Sequence, residues 1–387
     1  MYSRSLMFVS ALLMKSGTIG VVPLPSQRVV AERQVDVREL LASARGVAPA
    51  LCTLAADGAS SGWGGAWDAP DLAVNADVHQ LVRDMRVASI DRAEAQALLD
   101  ALASDDGCVR HMAGTLIGRS GDRAFVPALI TKLGASPAQE RAGAARALGL
   151  LGEKSAVDPL VRILRDAMPS VRANAAWALG RIGERRVASA VADLASDGAA
   201  EVRGAAVVAL GHLEAADNIE VLLRVLKDDD SPSVRRTAAW ALGQMEVKST
   251  ADLLASAAAA DKSPRVRATA AWAVGQLNPG RAPAALLTAL HDSEDDVRLK
   301  AAWALSQISD PDAVPAVTSA LRAEKSDRVR QALVRALLES GDRSSDVFKD
   351  LLESKDRETR EMAVRALAGR RGPWPWPWPQ PRPRPNP

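Results

Sequence analysis

Nine arginines recur along this chain at an almost constant step. Arg110, Arg141, Arg172, Arg203, Arg235, Arg267, Arg298, Arg330 and Arg360 follow one another at intervals of 31, 31, 31, 32, 32, 31, 32 and 30 residues. So regular a step marks one supersecondary unit repeated in tandem. It constrains the fold more than any other feature, because a unit of this length must bury its apolar face against its neighbours.

Each unit reads as two helices. The first is short and amphipathic, as in AFVPALITKL, AVDPLVRIL, NIEVLLRVL, APAALLTAL and AVPAVTSAL. Pro127, Pro159, Pro283 and Pro315 fall in its first turn, where a missing N–H costs nothing. A polar turn follows, often rich in Asp, as in KDDDSPS or HDSEDD, and the second helix starts at the Val-Arg pair. In VRANAAWALGRIG, the residues Val171, Ala175, Ala178, Leu179 and Ile182 form one apolar stripe at helical spacing, and Gly183 supplies the stop.

The turn, the Val-Arg pair and the Ala-Leu-Gly ending, as in DAMPSVRANAAWALGRIG, resemble HEAT repeats. In particular they resemble the short bacterial HEAT-like type also seen in phycobilisome lyase subunits. The resemblance implies an all-α fold: a right-handed α-solenoid of about nine two-helix HEAT-like repeats. It further implies that Arg172, Arg203, Arg235, Arg267, Arg298 and Arg330 form a structural ladder, paired with turn Asp residues of their own or a neighbouring unit. The predicted domains are a signal-like or extension segment (1–25), an N-terminal helical cap with a Gly/Trp loop (26–90), the solenoid (91–371) and a disordered Pro/Trp-rich C-terminal arm (372–387).

Composition excludes several functions. Net charge is only +2, from 49 basic and 47 acidic residues, which supplies no overall field for nucleic acid or an anionic surface. There is no nucleophile elbow, P-loop or dinucleotide fingerprint. The four His are scattered, and Cys52 and Cys108 form no metal-binding pair. Whether those two cysteines bond to each other stays open. No catalytic residue, metal ligand or cofactor is assigned.

Tryptophan carries the sharper signal. The chain has nine Trp but only three Phe and one Tyr. Four of the Trp repeat one register, six residues after the Val of the Val-Arg pair: Trp177, Trp240, Trp272 and Trp303. At 100° per residue that position falls about 120° from the Val, off the apolar stripe. Residues three and ten after the Val share this second face. The predicted groove row is therefore Asn174, Trp177, Arg181; Thr237, Trp240, Gln244; Thr269, Trp272, Gln276; and Lys300, Trp303, Gln307, with His212 in the unit that lacks the Trp. Packing between units and recognition of a partner both remain open for the Trp row, and the two are compatible.

The ends differ from the repeats. An apolar run from Leu6 to Met14 after Arg4 has the length of a signal-peptide core and is too short to cross a bilayer, which favours an exported, envelope-facing protein over a cytoplasmic one. GPWPWPWPQPRPRPNP cannot be helix or central strand and reads as a polyproline II arm, with Trp374, Trp376, Trp378, Arg382 and Arg384 as its binding side chains. The Gly/Trp loop, the repeats and this arm together also resemble, more weakly, the C-terminal halves of antirepressor-type membrane metallopeptidases. The catalytic half is missing, so no peptidase activity is implied.

The function that follows is non-catalytic: a scaffold that takes a protein or Pro-rich peptide in its groove, including another copy of itself through the arm. Contact of the arm with a membrane interface is a competing use. A lyase-type subunit acting on a tetrapyrrole-carrying protein is the enzyme alternative. Nucleic-acid binding, as in HEAT-like DNA glycosylases, is a third reading, against which the small basic content of the groove row counts.

Overall fold

The computed structural model describes residues 90–340, the side chains of Cys108 and Arg119 excepted, together with Val37 and scattered positions between 349 and 364. The predicted cap apart from Val37 and Ile90, most of the ninth unit and the arm lie outside the described residues. The described part is all helical, with no strand. Sixteen α-helices follow one another in pairs: α1 Arg92–Ala101, α2 Gly107–Ser120, α3 Val126–Lys132, α4 Ala138–Leu151, α5 Val157–Arg162, α6 Pro169–Ile182, α7 Ala188–Ala192, α8 Ala200–His212, α9 Ile219–Asp228, α10 Pro232–Gln244, α11 Ala251–Ala260, α12 Pro264–Leu277, α13 Ala284–Thr288, α14 Asp295–Ile308, α15 Val314–Ala323 and α16 Asp327–Glu339. The even-numbered ones are the second helices of eight successive units.

First helices are shorter than the amphipathic pattern suggests. Several start or finish as a turn of 3₁₀ helix, at 123–125 before α3 and at 163–165 after α5 for example. Pro127 and Pro315 occupy the second position of their helices, and Pro283 is the residue before α13. Second helices end where the sequence places the stop. Gly183 follows α6 with φ +82°, a left-handed conformation that costs a glycine nothing.

Consecutive second helices pack extensively on one another, α4 on α6, α6 on α8 and so on to α14 on α16, whereas consecutive first helices meet less, the most between α11 and α13. Small residues permit this. A Cβ built on Gly180 would stand 2.6 Å from the Cα of Ala209, one unit on. The tightly spaced layer of a stacked array is its inner layer, so the solenoid curves toward the second helices. Their apolar stripes are buried: Ala175, Ala178 and Leu179 lie in one continuous core that runs the length of the array, and Val171 is buried as well. Ile182, the last residue of that predicted stripe, is only partly buried.

Candidate functional site: the inner face of the second helices

The arginine ladder positions this face. Each arginine from Arg141 to Arg298 bonds its own unit and the next at once. Arg172 donates from Nη1 to the carbonyl of Asp166, at the turn of its own unit, at 2.8 Å. Its Nε and Nη2 donate to both oxygens of Asp197 in the next unit, each at 2.8 Å. Asp197 also accepts the backbone N–H of Ala199, and its own carbonyl accepts from Arg203. The chain of bonds continues through Arg203–Asp229, Arg235–Asp261, Arg267–Asp292 and Arg298–Glu324, and it begins at Arg141–Asp166. Arg330 bonds the carbonyl of Glu324 and the nearby Asp327. In the next unit the matching position is Ser354, which offers no carboxylate; its carbonyl accepts from Arg360.

From Arg141 to Arg298 the neighbour's carboxylate is thus the bidentate partner, and the unit's own turn contributes its carbonyl. Bidentate, charge-assisted bonds of this kind are the stronger class of hydrogen bond, and they fix the angle between units. The carboxyls respond accordingly. The Arg172 hydrogen bond holds the Asp197 carboxyl below its ordinary value. For Asp261 burial alone would raise the pKa, but the Arg235 bond, the Ser263 N–H and the charge of Arg267 outweigh it. A second row of pairs, including Arg123–Glu153, Lys154–Glu184 and Arg185–Glu214, also links neighbouring units but is much more exposed. Exposed pairs of this kind add little.

With the ladder and core in place, one stripe of each second helix reaches solvent. On α12 it comprises Arg265, Thr269, Trp272 and Gln276; on α10 it comprises Ser233, Thr237, Trp240 and Gln244. On α14 the stripe includes Asp296, Trp303 and Gln307. The predicted groove row coincides with this stripe in most of its members. Trp240, Trp272 and Trp303 are half-buried, Gln276 and Gln307 likewise, and Gln244, Arg181 and His212 are exposed. Asn174 is partly exposed and bonds back to the carbonyl of Ser170. Thr237 and Thr269 do the same toward Ser233 and Arg265. Gln307 donates to the Ser306 hydroxyl.

Two members lie deeper than the helical wheel suggests. Trp177 is only 7% exposed, and Lys300 only 5%. Around Lys300 burial lowers the ammonium pKa to about 8, with Asp296 opposing and Arg328 reinforcing the shift.

The Trp rings also bridge the units. Cζ3 of Trp303 would stand 2.5 Å from a Cβ on Gly275 of the preceding second helix. The corresponding distances are 3.2 Å for Trp272 and Gly243, 3.4 Å for Trp240 and Gly211, and 3.0 Å for Trp177 and Gly149. One edge of each indole therefore fills the gap left by a glycine, while for three of the four the other edge stays on the stripe. Packing and display coexist in one side chain.

Several features of this face were missed from the sequence. Arg146 stacks over the Trp177 ring at 4.9 Å, with Arg181 at 5.8 Å from the same ring. Arg146 occupies the Trp register in the second unit, so following that register through AQERAGAARALG would have found it. His212 meets Trp240 edge-on, with ring centroids 5.5 Å apart. Desolvation on the crowded face, then the charge of Arg181, lowers the His212 pKa. An open cleft of about 540 Å³ crosses the starts of α10, α12 and α14, lined by Arg236, Arg265, Glu294 and Asp296 among others. The arm residues Trp374, Trp376, Trp378, Arg382 and Arg384 lie outside the described residues.

Among the described residues no group of three or more His, Cys, Asp or Glu could hold a metal ion, and no helix is long and apolar enough to cross a membrane.

Comparison with known proteins bears on the fold. The family model for HEAT repeats matches three times, over residues 126–211, 194–273 and 251–338. A search of curated proteins returned no match. Among solved structures, importin beta superposes with a TM-score of 0.52 at 14% identity, covering 86% of this chain and 53% of importin beta. An engineered protein matches with a TM-score of 0.47 at 19% identity, covering 86% and 98% of the two chains. The complex of CpcE and CpcF of phycocyanin lyase from Nostoc sp. matches with a TM-score of 0.35 at 21% identity, covering 74% and 98%.

Proposed function

Because this chain belongs to the HEAT-repeat family, whose solenoids commonly serve as protein-binding scaffolds, we propose that it is a non-catalytic binding protein that takes a protein or peptide segment along the inner face of its second helices. One observation carries the reading. Trp240, Trp272 and Trp303 occupy the same register on three consecutive second helices, half-buried on the stripe that reaches solvent. A row of fixed, amphipathic rings costs little side-chain entropy on binding, which is why Trp is enriched at interface hot spots. Neighbouring Gln244 and Gln276 add amide donors and acceptors that suit backbone groups of an extended partner. The face is nearly neutral at this level, which favours a peptide-like partner over a nucleic-acid backbone.

The test uses charge introduced where the fold tolerates it. Gln244→Arg and Gln276→Arg are placed together in the full chain, and captured proteins are compared with the parent by mass spectrometry. A partner held by the parent and lost by a variant of unchanged melting supports the proposal. Equal capture by both chains overturns it.

A further inference from the structure

One register of the second helices changes its chemistry along the array. Ten residues after the Val of each unit stand Arg181, His212, Gln244, Gln276, Gln307 and Glu339, on α6 through α16. Basic side chains occupy one end of this row, amides the middle and a carboxylate the other end. Resting on the reading above, we infer that the segment held along the second helices is an acidic peptide. Its carboxylates meet Arg181 and His212, and its apolar side chains lie on Trp240, Trp272 and Trp303.

The two ends of the row differ in whether their charge is met. Glu339 lies 3.9 Å from Arg335 of its own helix. Arg181 and His212 are both exposed on the stripe. Among the described residues Arg181 meets the Trp177 ring and no carboxylate, and His212 meets Trp240 and no carboxylate. Arg146, one second helix back, adds a further guanidinium at 4.9 Å from the Trp177 ring. Positive charge thus gathers over α4, α6 and α8. Desolvation, then the charge of Arg181, disfavours the protonated form of His212, with no acidic group opposing them. A carboxylate laid between these side chains turns repulsion into attraction, and a concave face lined by one sign of charge focuses that field. The rings hold the donors in place. A guanidinium set against an indole keeps its N–H groups in its own plane, where one carboxylate can accept two of them.

The rest of the row selects a peptide over a nucleic acid. A nucleic-acid backbone carries charge at every step and calls for a cation in every unit. Over α10, α12 and α14 the row turns to amides beside half-buried rings. The starts of these helices carry both signs, Arg265 and Asp296 among them. Amides pair with the backbone of an extended peptide, and the rings cover its apolar side chains. The acidic residues therefore belong at one end of the segment. That end lies over α6 and α8, with the apolar stretch running toward α14, so the row also sets the direction of the bound chain.

The probe is a library of random peptides displayed on phage and selected on the full chain. The same selection is run on a double variant, Arg181→Gln with His212→Gln, which places the amide of the neighbouring units at both positions. Both side chains are exposed, so the fold should be retained, which circular dichroism checks. The parent should enrich peptides with Asp and Glu gathered at one end, and the double variant should not. A fluorescein-labelled copy of the most enriched peptide should bind the parent at least about tenfold more tightly than the double variant, read by anisotropy. Replacing its acids by their amides should cost a similar factor on the parent. Enrichment of peptides without acidic residues overturns the inference; if those peptides are lost on Gln244→Arg with Gln276→Arg, the groove proposal stands without it. Equal binding by parent and double variant places the acids elsewhere and overturns it too. Recovery of no peptide overturns it and leaves the groove proposal to its own capture test. Tighter binding of single-stranded oligo-dT than of the peptide overturns it in favour of a nucleic acid.

Discussion

Arg235 holds Asp261 through both Nε and Nη2, at 2.8 and 2.9 Å, across the boundary between two units, while its Nη1 reaches back to the carbonyl of Asp229 at 2.8 Å. One side chain thereby ties its own turn to the next. Arg235→Ala should lower stability by about 2–4 kcal/mol, because it leaves a partly buried carboxylate without its partner. Arg330→Ala should cost clearly less, since Arg330 has no carboxylate in the following unit at the ladder position. Urea unfolding of both variants, followed by circular dichroism, checks the ranking; equal losses would show that the inter-unit pair is not what matters.

Acid should loosen the array. Asp166, Asp197, Asp229, Asp261 and Asp292 all have pKa values below the ordinary carboxylate value in the fold. A group depressed in this way contributes its full stability above the unfolded pKa, near 3.9, and loses it as pH falls through the folded value. The melting temperature should therefore owe no slope to the ladder between pH 5 and 8 and drop steeply below about pH 4. A drop that begins near pH 6 would assign the loss to other groups.

Lys300 makes the opposite prediction at high pH. Its folded pKa of about 8 lies below the ordinary lysine value of 10.5, so the unfolded chain binds more protons between those two values. Stability should rise with pH across that window. Lys300→Met keeps the stem and removes the charge. It should raise the melting temperature at pH 7 by about 2–5 °C and flatten the rise. A loss of stability on substitution would mean that the charged form is the one the fold uses.

The Trp–Gly contacts give a steric prediction. Gly243→Ala places a methyl 2.9 Å from the Cβ and 3.0 Å from the Cα of Ala273, with Trp272 Cζ3 at 3.2 Å. Backbone cannot yield as a side-chain tip can, so the substitution should cost about 1–3 kcal/mol. Gly198→Ala, where nothing lies within 4 Å, serves as the control and should be close to neutral. Thermal melts of the two variants side by side decide the point.

The sequence by itself determined the unit, its step and its two helices, because periodicity and capping are local properties of the chain. The arginine of the Val-Arg pair was legible as structural for the same reason: it recurs at one place in every unit. Most of the solvent-reaching stripe was legible as well, since Trp240, Trp272, Trp303 and their Gln neighbours follow from helical geometry alone. Only the tertiary structure decided which Asp each arginine holds, because the choice between a unit's own turn and its neighbour's depends on the stacking angle. Only it could bury Lys300 and Trp177, whose depth is set by the helices beside them and not by their own. It also showed that each indole fills the gap above a glycine one unit back. That contact lies between residues some 28 to 29 positions apart, where a helical wheel drawn for one helix has nothing to say.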